Sequence, residues 1–164
     1  MNRSVMKKII MILMAMFAFG LQNVSAQDAP LKIVTNHPDF KIKVKRCAAS
    51  GKTVVLDLIL NNEGTNDVKV DGVSTFSSEA YDNEGNIYQD TNLRIKVANR
   101  EEYKSNSGSF MIPTGVPMRL SLQINNVSTS AESIARLSLC FDCSVWGLNG
   151  NKLVKLSNIP ITRD

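Results

Sequence analysis

Three cysteines, one histidine and a few clustered acids are the side chains of this 164-residue chain that could do chemistry. Cys140 and Cys143 form a C-x-x-C pair, and Cys47 lies far from both in sequence. A redox C-x-x-C needs a helix N-terminus to lower the thiol pKa. Here the pair sits in a strand-like run, LSLCFDCSV, so redox catalysis is not expected. A structural zinc takes four ligands. The three cysteines and His37 could only just supply them, and their spacing fits no finger. His37 precedes Pro38 with no partner nearby in sequence, so it reads as an exposed loop residue rather than a base. The oxygen-rich run Asp82, Asn83, Glu84, Asn86 could hold calcium, but it lacks the D-x-D-x-D-G-x5-E spacing. A hairpin turn with Gly85 at positive φ explains the same residues. The carboxylate pairs Glu101–Glu102 and Glu79–Asp82 read as exposed, with nothing to raise one pKa. No G-x-S-x-G, H-E-x-x-H or Gly-rich phosphate loop is present. The expectation is a protein without catalytic residues, metal or cofactor.

Binding is the remaining class. Lys41, Lys43 and Lys45 alternate along one run and could bind an anionic patch. They also suit the solvated face of an edge strand, where lysines discourage unwanted pairing, and that is the preferred reading. Tyr81 and Tyr88 flank the Asp82–Asn86 turn, Trp146 ends a strand-like run, and Tyr103 lies in a polar stretch. Clustered at one end, Tyr81, Tyr88 and Trp146 could form a sugar-binding platform; packing over strand ends is the plainer alternative.

The first 26 residues read as a secretory signal peptide with cleavage after Ala26. Arg3, Lys7 and Lys8 precede a 13-residue apolar run, Ile9 to Leu21, and Val24-Ser25-Ala26 ends in small residues. A membrane-spanning helix needs about 20 apolar residues, so no permanent anchor is expected, and no lipoprotein-type cysteine follows the run. This segment holds three of the 19 basic residues and none of the 15 acids, leaving 16 basic and 15 acidic side chains. A near-neutral remainder gives no support for nucleic-acid binding. The expected location is secreted or periplasmic. There, three cysteines imply one bridge and one free thiol.

Residues 27–39 form a lead-in, with a short strand possible over Leu31–Thr35, and residues 40–164 suit one domain. Thr53–Asn62 (TVVLDLILNN) is the strongest strand signal: Val54, Leu56, Leu58 and Leu60 share one face. Val55 and Ile59 on the other face suggest a central strand. Asp57 is the odd residue there, exposed or paired with Lys41, Lys43 or Lys45. Further runs follow at Phe40–Cys47, Asp67–Asp71, Ser74–Asp82, Leu93–Ala98, Ser109–Ile112, Val116–Val127, Ile134–Trp146 and Leu153–Thr162. Turns are expected at Ala48–Lys52, Asn62–Thr65 and Asn149-Gly150, and a long exposed loop over Asn99–Gly108. Ser128–Ser133 reads as a small polar connection with room for one helical turn. No run after residue 26 has a helical period. The fold class is all-β: an antiparallel β-sandwich of seven to nine strands.

Several runs occur together: LDLILNNEG, then Asp82, Gly85, Asn86 and Tyr88, then Pro113 and Gly115 before MRLSLQI, then Ile134, Leu137 and Leu139. This order, across residues 40–146, resembles the immunoglobulin-like domains of unknown function in bacterial secreted proteins and lipoproteins, closest to those exported by Bacteroides-type bacteria. The resemblance implies an immunoglobulin-like sandwich, export, and a protein-interaction or adaptor role in the cell envelope; no catalytic residue carries over. The partner would be an unknown protein, with carbohydrate binding through exposed aromatics as the alternative. In such an order the first and last strands run parallel, which favours a Cys47–Cys143 bridge and leaves Cys140 free. Strand parity argues instead for Cys47–Cys140, because both read outward unless a bulge shifts one.

Overall fold

The computed structural model describes residues 29–35, 38–100, 102–142 and 152–163. Ala26, His37, Glu101, Cys143, Trp146 and the Asn149-Gly150 turn lie outside these residues. The strands are β1 (Lys32–Val34), β2 (Phe40–Ser50), β3 (Thr53–Asn62), β4 (Val68–Val70), β5 (Gly72–Asp82) and β6 (Ile87–Gln89). They continue as β7 (Leu93–Val97), β8 (Phe110–Ile112), β9 (Met118–Ile124), β10 (Ser133–Asp142), β11 (Lys152–Pro160) and β12 (Thr162–Arg163). Ser128–Ser130 makes a turn rather than a helix.

The main sheets have the orders β12-β2-β3-β9-β7 and β1-β11-β10-β5-β6, and β4 and β8 form a small third sheet. Without the short β1, β4, β8 and β12, the eight remaining strands in chain order take the places A, B, C, C′, D, E, F and G. One sheet is then A-B-E-D and the other G-F-C-C′. That is the strand order of an immunoglobulin-like sandwich. β12 pairs parallel to β2 through Ala48 and Ala49.

Alternation of apolar side chains explains β3. Val54, Leu56, Leu58 and Leu60 are fully buried, and their cross-strand partners on β9 are Ile124, Leu122, Leu120 and Met118. Leu137, Leu139 and Phe141 of β10 are fully buried from the other sheet. The Phe40 and Phe141 rings, one from each sheet, meet edge to face at 5.7 Å. Each such leucine contributes roughly 1.5–3 kcal/mol by leaving water. At the end of β3, the buried Asn62 side chain donates to the Ile112 carbonyl at 3.1 Å and the Asn66 carbonyl at 2.8 Å, and accepts from Gly64 N–H at 3.0 Å. It ties the β4–β8 sheet to β3.

Two features of β2 differ from the sequence expectation. The strand runs on to Ser50, so the turn shrinks to Gly51-Lys52. Gly51 takes φ +57° at the first central position, where a type II′ hairpin needs glycine. The register also shifts between Val44 and Arg46, so Lys45 is the extra residue of a β-bulge. Before the bulge Ile42 faces in. After it the inward residues are Cys47 and Ala49, opposite Leu56 and Val54, and Arg46 and Ala48 face out. Outward parity for Cys47 is therefore corrected: the thiol is buried, at 5% exposure, in the core.

Candidate functional site

The bulge brings Arg46, not a lysine, opposite Asp57. Cross-strand pairing then places Arg46 (β2), Asp57 (β3), Ser121 (β9) and Lys96 (β7) in one line across the outward face of the sheet. With strands about 4.8 Å apart, that line spans roughly 14 Å. Parallel lines carry Lys43, Ile59 and Arg119 on one side, and Ala48, Val55, Gln123 and Arg94 on the other.

Asp57 is buried, which corrects the exposed or lysine-paired expectation. Its Oδ1 accepts from the Ser121 hydroxyl at 2.5 Å; its Oδ2 accepts from Arg46 Nε at 3.2 Å and lies 3.1 Å from Nη2. Both carboxylate oxygens are thus occupied. Arg46, more than half exposed, lies across the acid and faces solvent. Among the described residues Lys43, Arg94, Lys96 and Arg119 form no ion pair. The outward face carries Lys43, Arg46, Arg94, Lys96 and Arg119 against one acid that is already bonded.

The Asn99–Gly108 loop walls this face on one side. Its exposed character is as expected, but Lys104 pairs back to Ile95 through two backbone bonds of 2.7 and 2.8 Å. That pairing seats the half-buried Tyr103 over the sheet, with Lys96 Nζ 4.7 Å from the ring centroid and the phenol against Ser121. Burial raises the Tyr103 pKa, with Ser121 opposing. Arg46, Asp57, Lys96, Tyr103, Arg119 and Ser121 line a depression of about 390 Å³. Arg100 contributes to the rim while donating to the Ser109 carbonyl at 2.9 Å. The described lining carries four cations, Arg46, Lys96, Arg100 and Arg119, and one acid, Asp57.

Arg94 and Lys96 were legible in LRIKV, and Arg119 and Ser121 in MRLSLQI, as the polar members of alternating strands. What the sequence could not supply was the pairing that sets them side by side, or the bulge that brings in Arg46.

The other sequence candidates fall elsewhere. Asp82 is buried, not exposed, and serves its own turn. Oδ1 accepts from Glu84 N–H and Asn86 N–H at 2.9 Å each; Oδ2 accepts from Asn86 Nδ2 at 2.9 Å and Tyr88 O–H at 2.6 Å. Gly85 takes φ +88°, as the turn reading requires. Burial alone would raise the Asp82 pKa; the bonds from Tyr88, Asn86 and the backbone outweigh it and hold the carboxyl below its ordinary value. Glu79 pairs with Arg136 at 3.3 Å, and Glu102 with Lys104 at 3.6 Å.

The aromatic platform does not assemble from Tyr81 and Tyr88. Tyr88 stands opposite Ala80 and is buried at 4% exposure, whereas Tyr81 stands opposite Ile87 on the outer face. Tyr81 is held by Glu79, 3.1 Å from its hydroxyl, and by Arg136, 5.8 Å from its ring. Cys47 and Cys140 are both free, buried thiols: Cys47 points into the core, whereas Cys140 alternates with the inward Leu139 and Phe141 along β10. The Cys47–Cys143 pairing involves a residue outside those described.

No model of a protein family matches the chain, and no curated protein matches it. Among solved structures the chain is similar to a family 123 glycoside hydrolase from Clostridium perfringens, at 12% identity and a TM-score of 0.41. The match covers 82% of this chain and 27% of the hydrolase, so the chain spans about a quarter of that protein. It is also similar to PapD-like domain 7 of human CEP192, at 15% identity and a TM-score of 0.37, covering 87% of this chain and 95% of that domain.

Proposed function

We propose that this chain is an exported, non-catalytic protein-interaction module of the cell envelope, and that it works through the outward face of the β2-β3-β9-β7 sheet. The observation that carries this reading is the charge on that face. Exposed Lys43, Arg46 and Arg119 and half-buried Arg94 and Lys96 surround a single bonded acid, although the chain beyond residue 26 is almost neutral. A sheet face serving only solubility would mix both signs. The signal-peptide pattern and the resemblance to exported bacterial immunoglobulin-like domains support the location. Every described acid in the notable carboxylate pairs is bonded within the fold, which favours binding over catalysis.

The test is photo-crosslinking in the producing cell. A photoreactive residue replaces Lys43 on this face, or Lys155 on the opposite sheet. A discrete protein adduct from position 43 and none from 155 is expected. Absence of any protein adduct from position 43 would overturn the reading.

A further inference from the structure

We propose that the basic sheet face binds an extended acidic segment of a partner protein, with carboxylates on Arg46, Lys96 and Arg119 and apolar side chains on Val55 and Ile59. This rests on the interaction-module reading and adds the chemistry of the partner.

Charge complementarity selects the occupant. Arg46, Lys96 and Arg119 border one depression, and its only described acid, Asp57, spends both oxygens on Arg46 and Ser121. Asp57 acts as a positioning residue. It draws the exposed Arg46 guanidinium across the sheet while the remaining donors of Arg46 stay open to a ligand. Lys96 is steadied over the Tyr103 ring, and Arg119 stands exposed beside them.

Dimensions argue for a chain rather than a single small anion. The cations are spread over β2, β9 and β7, roughly 10–14 Å from first to last at ordinary strand spacing. One phosphate or carboxylate cannot reach across that width. In an extended peptide, side chains on one side recur about every 7 Å, so successive acids can engage successive cations. The depression itself is floored by Asp57 and Ser121, and beside it Val55 and Ile59, two places either side of Asp57 on the central strand, lie half-buried on the outward face. An acidic segment with interspersed apolar residues matches both features. Single-stranded nucleic-acid sites typically stack bases on open aromatic faces, and on this face Tyr103 is half-buried and covered by Lys96.

The experiment titrates the full-length protein against a fluorescein-labelled synthetic peptide alternating glutamate and valine, read by fluorescence anisotropy. Saturable binding that weakens with added salt is expected. Lys96→Glu and Arg119→Glu should each weaken it roughly tenfold, and Lys155→Glu, on the opposite sheet, should leave it unchanged. Circular dichroism melts confirm folding, and Lys43→Glu, at an exposed position, replaces any variant that does not fold. A peptide with lysine in place of glutamate should not bind. The proposal is overturned if the wild type ignores the acidic peptide, if the charge reversals bind like wild type, or if oligo-deoxythymidine competes more strongly than the peptide. The two readings separate in the crosslinking assay. A partner captured from position 43 equally well with and without Lys96→Glu and Arg119→Glu sinks the acidic-segment proposal and leaves the module standing.

Discussion

The Tyr88 hydroxyl donates to Asp82 Oδ2 across 2.6 Å, joining the end of β5 to the middle of β6 inside the sandwich. Burial, then this bond to Asp82, pushes the Tyr88 phenol up to about 12. The same bond helps hold the Asp82 carboxyl down.

Tyr88→Phe keeps the ring and removes one donor from a buried carboxylate. The expected loss is about 1–3 kcal/mol, read by urea denaturation at neutral pH. A variant as stable as wild type would show that the bond contributes nothing.

The pH dependence follows from the direction of the Asp82 shift. The folded-state value is lowered, so Asp82 contributes stability that is fully present above its unfolded value of about 3.9 and is lost as pH falls through the lower folded value. Asp82→Asn removes this dependence and two of the acceptor bonds. Wild type should exceed the variant at pH 7, and the gap should narrow below pH of about 4. Parallel stability curves would contradict it.

Arg46 and Asp57 are unequal partners. Arg46 is largely exposed, so Arg46→Ala should cost no more than about 1 kcal/mol. Asp57→Ala strips the acceptor from the Ser121 hydroxyl beneath the sheet surface and should cost about 1–3 kcal/mol. Equal losses in urea melts would mean the ion pair, not the buried hydroxyl bond, carries the interaction.

Cys47 should be chemically silent. Burial pushes its thiol up to about 12, with Arg163 opposing weakly, and only the thiolate attacks an aromatic disulfide reagent. In a Cys143→Ser background, native protein at pH 8 should release almost no chromophore, and denaturant should expose both Cys47 and Cys140. Rapid labelling without denaturant would show that the pocket opens.

Arg163 joins separate parts of the chain. Its guanidinium donates to the Ala131, Ser128 and Gly51 carbonyls, the shortest bond being 2.7 Å to Ser128. Arg163→Ala should lower stability by about 1–3 kcal/mol, and Arg163→Lys should recover only part, because one ammonium cannot span three carbonyls.

Period-two alternation made β3, β9 and β10 legible, because each keeps its large aliphatic side chains on the core face and the side-chain pattern must follow the pleat. The Asp82–Gly85 turn was legible for a different reason: its residues bond locally, within a few positions of one another. The binding face was hidden. Alternation showed that Lys96, Arg119 and Ser121 point outward, but neighbouring strands in the sheet are remote in sequence, so no spacing rule sets them together. The bulge at Lys45 was hidden too. It depends on how β2 meets β3, and it alone turns Cys47 inward and puts Arg46 beside Asp57. Tyr88 was left open between platform and packing because a flanking aromatic looks the same from sequence on either side of a sheet. Only its partner, Ala80 rather than a surface residue, shows that it points in.

β12 is the last strand, yet it lies beside β2, and Arg163 fastens it there. The pairing of β12 with β2 reaches across the eight strands of the sandwich in chain order, so it is among the longest-range contacts of the described residues. Such long-range closure slows folding. Thr162 and Arg163 thus act as a latch on the edge of β2, clipping the chain, as it arrives from the far side of the sandwich, to the Gly51 hairpin.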